Sequence, residues 1–302
     1  MTLTQLRLFV LVADQGGFTG AALQAGISQS AVSHALKGLE QEWAVHLFDR
    51  QGGQVTLTEI GRTLLPRARE MLGLSETMRQ EIAAHRGLSR GHLRVGSFGP
   101  TSSILLLPTI LEAFRRHHPR IDVTVDEGAD DEVVDWVLGR RVDVGFVVLP
   151  DDRFDTVPLL EDQFIAVLPA AHRLAEQDAV SLADLTDDPF IMTHAGSGAV
   201  INAVFRRRAF RPRIQHYFSQ VVTILDMVQR GEGVSVIAQL ALPAVLAKAY
   251  PGIVAKPLKP QAKRSVGLAV RNLAQAPPAV KAFIDIARPL FRQSLPAYPS
   301  SE

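Results

Sequence analysis

Residues 19–39, TGAALQAGISQSAVSHALKGL, constrain the fold more than any other stretch of the chain. Ala22 is small enough for two helices to touch, and Gly26, four residues on, suits a turn that needs φ > 0. Val32, six residues later, faces back onto the first helix. Small, glycine and β-branched residues at these intervals let one helix cross another steeply, as in a helix-turn-helix, and leave the second helix free to enter a major groove. The same spacing also fits an ordinary αα-hairpin, so the neighbouring segments decide.

The chain has 302 residues, 47% apolar and 21% charged, enough for two or three globular domains. Its formal net charge is +1, and residues 1–87 hold eight Lys or Arg against eight Asp or Glu. Any affinity for nucleic acid must therefore come from local placement and from doubling in a dimer. With no cysteine, disulfides, thiol catalysis and thiol-based redox sensing are excluded. Leu3, Leu6, Phe9, Val10 and Ala13 recur at helical spacing with no small-residue cleavage site, which predicts a packed helix rather than a signal peptide. No apolar run approaches the roughly 20 residues of a membrane span. The expectation is a soluble, cytoplasmic protein without a membrane partner.

Along the chain, residues 1–58 read as helix, helix, turn, helix and a hairpin wing. Thr19 or the glycines before it open the second helix. Ser28 caps a third from Gln29 to Trp43, with Ala31, Val32, Ala35, Leu36 and Leu39 on its buried side. Leu47–Arg50 and Gln54–Leu57 flank Gln51-Gly52-Gly53 as the wing. Thr58 then caps a linker helix over 59–86, about 27 helical residues and roughly 40 Å long. Its stripe of Ile60, Leu64, Met71, Leu74, Met78 and Ile82 is too long to bury within a small domain and calls for a partner helix. Pro66 should kink or loosen its first turns.

Residues 87–91, GLSRG, form a hinge linker, and 92–302 alternate strands with helices. Such βαβ alternation predicts a mostly parallel sheet. The strands are too many for one small sheet, so two lobes are expected, about 92–161 with 265–302 and about 162–264, crossing near Asp162 and Arg264. The fold class is α/β: an N-terminal winged helix-turn-helix, a long linker helix and a two-lobed C-terminal domain.

These motifs resemble the LysR-type transcriptional regulators. LRLFVLVADQGGFTGAA, GISQSAVSHALKGLE, LFDR and VTLTEIGRTLLPRARE carry the N-terminal likeness; LRVG…LLP, RRVDVGF, SLADL and MVQRGEGVSVIAQLALP carry it through the rest. His34 stands where members often have Arg, and Trp43-Ala44 replaces the more usual Leu-Gly. The resemblance implies a winged-helix DNA-binding domain, a homodimer built on the linker helix and assembly to a homotetramer. It also implies an effector domain like a periplasmic binding protein, control by a small molecule, promoter DNA and RNA polymerase as partners, and no cofactor.

Gln29, Ser30, Ser33 and His34 on the third helix suit base edges, since Gln pairs bidentately with adenine and Ser or His donates to guanine or phosphate. Arg50 on the wing suits a backbone or minor-groove contact, and Thr19, Lys37 and Arg62 suit phosphates. For the effector, three helix starts converge: Ser97 with Thr101, Ser102 and Ser103; Thr193, His194 and Ser197; and Ser219 with Gln220. Free N–H groups, hydroxyls and positive dipole ends suit a small anion, although each hydroxyl alone also fits a helix cap. By resemblance Thr101, Ser102, Val148 and Thr193 fall where related regulators contact their inducers, and His194 is the titratable group of its loop. No metal site is expected; His117-His118 before Pro119 is the weak alternative. An enzyme is the first rival, yet AGSGA lacks the glycine spacing of a nucleophile elbow, and no phosphate-binding loop with Lys or HExxH motif is present. The second is a solute-binding module whose N-terminal helices only oligomerise.

Overall fold

The computed structural model describes residues 1–49, 55–85, 90–193 and 197–291. The chain divides into two compact units. The first holds Met1–Gly91 with Leu138–Arg141, and the second holds His92–Val137 and the chain from Val142 onward.

The first unit begins with α1 (Leu3–Gln15), whose start is closed by a capping box. The Gln5 N–H donates to Thr2 Oγ1 (3.2 Å), and the Thr2 N–H donates to Gln5 Oε1 (2.8 Å). Helix α2 (Phe18–Ala25) opens at Gly17, the earlier of the two possible starts, and leaves Thr19 exposed in its first turn. It ends where Gly26 takes the left-handed conformation at φ 66°. Helix α3 (Gln29–Trp43) starts at Ser28, whose hydroxyl accepts from the Ala31 N–H at 3.2 Å. Leu6, Phe9, Val12, Phe18, Ala22, Val32, Leu36, Leu39, Leu47 and Phe48 form one core beneath the three helices. Ala31, expected in that core, is exposed. The buried stripe runs Val32–Leu36–Leu39, and Ala31 lies beside it on the exposed flank of the first turn. At the other end Ala44 takes the glycine conformation, φ 53°, and its N–H donates back to Gln41 and Glu40.

The wing strands β1 (Phe48–Asp49) and β2 (Thr56–Leu57) pair antiparallel, and the tip between them lies outside the described residues. Thr58 Oγ1 accepts from the Gly61 N–H (3.0 Å) and starts α4 (Glu59–His85). The helix continues across Pro66 as one element. Proline removes one backbone donor there, while Leu64, Leu65, Ala68 and Leu72 pack onto the first unit's core on either side and hold the turns.

The second unit contains a nine-stranded sheet ordered β4-β3-β5-β11-β6-β9-β7-β8, with β10 added against β6. These strands are β3 (Gly91–Phe98), β4 (Ile121–Gly128), β5 (Val144–Leu149), β6 (Asp155–Pro169), β7 (Pro189–Thr193), β8 (Arg213–Phe218), β9 (Val234–Ala238), β10 (Ile253–Pro257) and β11 (Lys263–Val270). The helices between them are α5 (Leu107–His117), α6 (Asp130–Leu138), α7 (Ser197–Arg207), α8 (Val221–Gln229), α9 (Ala244–Ala249) and α10 (Pro278–Leu290). The sheet is mixed, not mostly parallel. β3 runs parallel to β5, and β7 to β8 and β9, but β11 opposes β5 and β6, while β6 opposes β9 and β10. The reason is connectivity: the chain leaves the first lobe on β6 and returns on β11, and each crossing strand inverts the local direction.

Strand β6 begins nine residues before its apolar run FIAVL at 164–168. Its first part, Asp155–Gln163, pairs with β11. That half buries Val157 and Leu159 in a first core with Phe114, Phe146, Val266 and Phe283. Its second half is buried on both faces. Phe164, Ala166 and Leu168 point into one core with Phe190 and Phe205, and Ile165 and Val167 into another with Ile224 and Val228.

Candidate functional site

On α3 the side chains of Gln29, Ser30, His34 and Lys37 are exposed and Ser33 is half-buried. They share the outer side of a helix whose inner side, Val32, Leu36 and Leu39, is sealed from solvent. Ser30 Oγ lies 2.9 Å from Ser28 Oγ, so the capping residue also orders the first exposed hydroxyl. Thr19 and Arg62 are exposed as well. Arg50 lies outside the described residues. Such a surface presents donors and acceptors at the start of a rigid helix, the arrangement needed to read base edges.

Helix α4 has two apolar faces. Leu64, assigned to the outer stripe by spacing, instead packs with Leu65, Ala68 and Leu72 toward α1, because the first turns of α4 lie on that helix. The remaining stripe stays open: Ile60, Met71, Leu74, Met78 and Ile82 are 39, 40, 57, 62 and 52% exposed. An apolar stripe left to water over so many turns marks an interaction surface.

In the second unit a cleft of about 50 Å³ lies where the two lobes meet. Its walls are Phe98–Thr101 at and just after the end of β3, Gly128–Asp130 leading into α6, Thr193 at the end of β7, Val221 at the start of α8, Ile237 and Ala238 at the end of β9 with Ala241 beyond, and Arg264 on β11. The ends of β3, β7 and β9 thus converge with several helix starts, as expected for a ligand site in an α/β sheet. The turn at Thr101–Leu106 is π-helical before α5 begins, and the Leu107 N–H donates to the Ser102 carbonyl. Gly198, at the start of α7, approaches β7 so closely that a Cβ there would lie 2.2 Å from the Thr193 carbonyl oxygen.

The cleft takes up only some of the residues expected there. Thr101 and Thr193 line it and are buried. Ser97 and Ser102 do not line it, because their hydroxyls are used internally. Ser102 Oγ accepts from the Phe98 N–H (2.8 Å) and bonds the Phe98 carbonyl, while Ser97 Oγ reaches Ser102 Oγ at 3.1 Å and Ser103 Oγ at 2.9 Å. Val148 packs against the first lobe's core, and Gln220 points to solvent while its neighbour Val221 forms the wall. His194 and the Ser197 side chain lie outside the described residues.

The sequence reading named Asp162 and Arg264 only as crossings between the lobes and missed that they pair at this cleft. Arg264 Nε and Nη2 lie 3.0 and 2.8 Å from Asp162 Oδ2, and Nη2 also donates to Thr101 Oγ1 at 2.8 Å. Both charged side chains are almost wholly removed from solvent. Asp162 is further held by the Gln163 and Leu240 N–H groups, at 2.8 and 3.2 Å. The guanidinium lies about 6 Å from the rings of Phe98 and Phe164, one in each lobe. The available signal was a pair of acids, Glu161 and Asp162, and a pair of bases, Lys263 and Arg264, each pair just ahead of an apolar run, in EDQFIAVL and KRSVGLAV.

At the far end of α5, His118 stacks obliquely on Phe114, and burial, then the neighbouring His117, lower its pKa. Among the described residues no group of three or more potential ligands could hold a metal ion, and no helix is long and apolar enough to cross a membrane.

Comparison with known proteins agrees with this division. Residues 3–62 match the bacterial regulatory helix-turn-helix protein, lysR family, and residues 86–292 match the LysR substrate binding domain. The chain is 32% identical to the uncharacterized HTH-type transcriptional regulator YvbU of Bacillus subtilis, over 96% of this chain and 99% of that protein. It is 31% identical to the probable HTH-type transcriptional regulator LrrA of Synechococcus elongatus, over 95% and 97%. A full-length OxyR variant from Pseudomonas aeruginosa superposes with a TM-score of 0.74 at 26% identity, covering 95% of this chain and 98% of that one. A helix-turn-helix with its reading face open, followed by a two-lobed domain with a cleft, is what this family uses to couple promoter binding to an effector: the chain belongs to the LysR-type transcriptional regulators.

Proposed function

We propose that α3 reads an imperfectly palindromic promoter site through Gln29, Ser30, Ser33 and His34, with Lys37, Thr19 and the wing residue Arg50 on the phosphates. The observation that carries this is the two-sidedness of α3, polar and open outside, sealed at Val32, Leu36 and Leu39 inside. The exposed α4 stripe from Ile60 to Ile82 pairs with its copy in a second chain and brings two recognition helices to one operator. Dimers then join as tetramers and engage RNA polymerase, as the family resemblance implies. Footprinting over the DNA flanking the protein's own gene tests the reading. Protection with a clear preference over random duplex at physiological salt is expected, and equal affinity for both would sink it.

The effector occupies the cleft and carries a small anionic group, most simply a carboxylate. Arg264 is the only Lys or Arg lining the cleft among the described residues, and a carboxylate can compete with Asp162 for it because Asp162 keeps two backbone donors. A space of about 50 Å³ holds one or two waters, so entry requires the lobes to part. Calorimetry with a panel of small carboxylates tests this. Thr101→Val should weaken whichever ligand binds, and Val148→Ala should not; unchanged affinity in Thr101→Val removes that hydroxyl from the site.

A further inference from the structure

From Pro189 to Leu225 the chain runs 37 residues without an acidic side chain, yet carries Arg206, Arg207, Arg208, Arg211 and Arg213. In a protein of net charge +1 this is an extreme local excess. The structure gathers all five arginines around one tight turn. Arg206 and Arg207 lie in the last turn of α7, and Arg213 begins β8. Backbone hydrogen bonds close the turn: the Phe205 carbonyl accepts from both the Arg208 and Phe210 N–H groups, at 3.2 and 3.0 Å. Phe205 is buried in the lobe core, with Phe210 packed against it.

Many of the chain's other arginines sit beside a carboxylate, among them Arg94, Arg116, Arg153, Arg173, Arg230 and Arg264. None of the five on this turn has an acidic partner among the described residues, and all but half-buried Arg208 are exposed. Beyond Arg213, the exposed side of edge strand β8 continues with Gln215 and Tyr217.

We propose that this turn is a second, sequence-independent contact with the phosphate backbone of promoter DNA. Guanidinium forks match phosphate geometry, and Arg, Gln and Tyr are among the side chains that hydrogen-bond phosphodiesters. The need is visible elsewhere in the chain: with eight cations and eight anions, residues 1–87 supply no surplus of their own to hold a polyanion. The inference rests on the DNA-binding reading above and extends it to DNA outside the operator.

The test uses the full-length protein and compares a duplex trimmed to the footprinted site with one carrying long flanks, both titrated across salt concentrations. In R206Q/R207Q/R211Q the salt dependence on the long duplex should flatten, by a slope of about 0.9 for each phosphate no longer neutralised, and affinity should drop roughly tenfold at low salt. The trimmed duplex should bind as in wild type, and R206K/R207K/R211K should restore most of the slope. Unchanged slopes on the long duplex, with operator preference intact, would overturn the proposal. So would a defect that emerges only when RNA polymerase is added, which would assign the turn to an acidic protein surface. Loss of preference for the operator over random duplex in the wild-type protein would instead count against the recognition-helix reading, since the backbone contact is blind to sequence.

Discussion

The start of α3 and the start of the helix after β3 are built from the same materials, serines and threonines in a first turn, and put them to opposite uses. On α3 Ser28 alone serves the backbone, and exposed Ser30 and half-buried Ser33 lie on the outer face. After β3, Ser97, Ser102 and Ser103 bond one another and the Phe98 backbone, and Thr101 is the hydroxyl that reaches the cleft. The difference lies in what surrounds each turn. A helix tip standing clear of its core keeps its hydroxyls for a partner; one wedged between strands must satisfy buried peptide groups first.

The largest expected effect tests the buried side of that comparison. Arg264→Ala takes the counter-charge away from buried Asp162, which keeps only its two backbone donors, and should destabilise the second unit by about 3–5 kcal/mol. Urea unfolding would show it, and a loss below about 1 kcal/mol would mean that water reaches the pair. Leu36→Ala applies a comparable insult to the first unit, about 2–5 kcal/mol from reduced burial and the cavity left behind, measured in the same way. A smaller pair sharpens the contrast. Ser102→Ala strands the Phe98 N–H and should cost about 1–3 kcal/mol of stability. Ser33→Ala should leave stability within about 0.5 kcal/mol while costing about 1–3 kcal/mol of discrimination between operator and mismatched duplex. If the two serines behave alike in both assays, the contrast is wrong. Smaller still, Ser28→Ala should cost about 1 kcal/mol through removal of the cap. Last, Ala44→Gly should raise the melting temperature slightly, a gain of under about 1 kcal/mol, since relief of left-handed strain is partly offset by a looser unfolded chain.

The first unit was legible because its information is local. Ala22, Gly26, Ser28 and Val32 lie within eleven residues, and each states its own backbone or packing role. Ala31 was misjudged because it lies beside the buried stripe of Val32, Leu36 and Leu39 and not on it. In the second unit the strand cores were readable where both faces are buried, as in FIAVL at 164–168. The front half of β6 was hidden, since DTVPLLEDQ mixes a proline and acids into a strand with one buried face. The cleft suffered most. Arg264 and Asp162 lie 102 residues apart, and no spacing rule connects them. Hydroxyl-rich turns advertise a site in sequence without saying which hydroxyls the fold will consume.

Strand β6 belongs to both lobes at once, pairing with β11 over its front half and with β9 and β10 over its back half. Neither lobe can therefore be cut out at a loop, because every division between them severs a continuous strand. For chimeras with relatives this fixes where the joints can go. A joint ahead of β3 exchanges both lobes together, and with them Leu138–Arg141 of the first unit, whereas a single lobe cannot be transplanted without carrying half of its neighbour's sheet. The cleft and the sheet whose strand ends line it are thus inherited as one cassette.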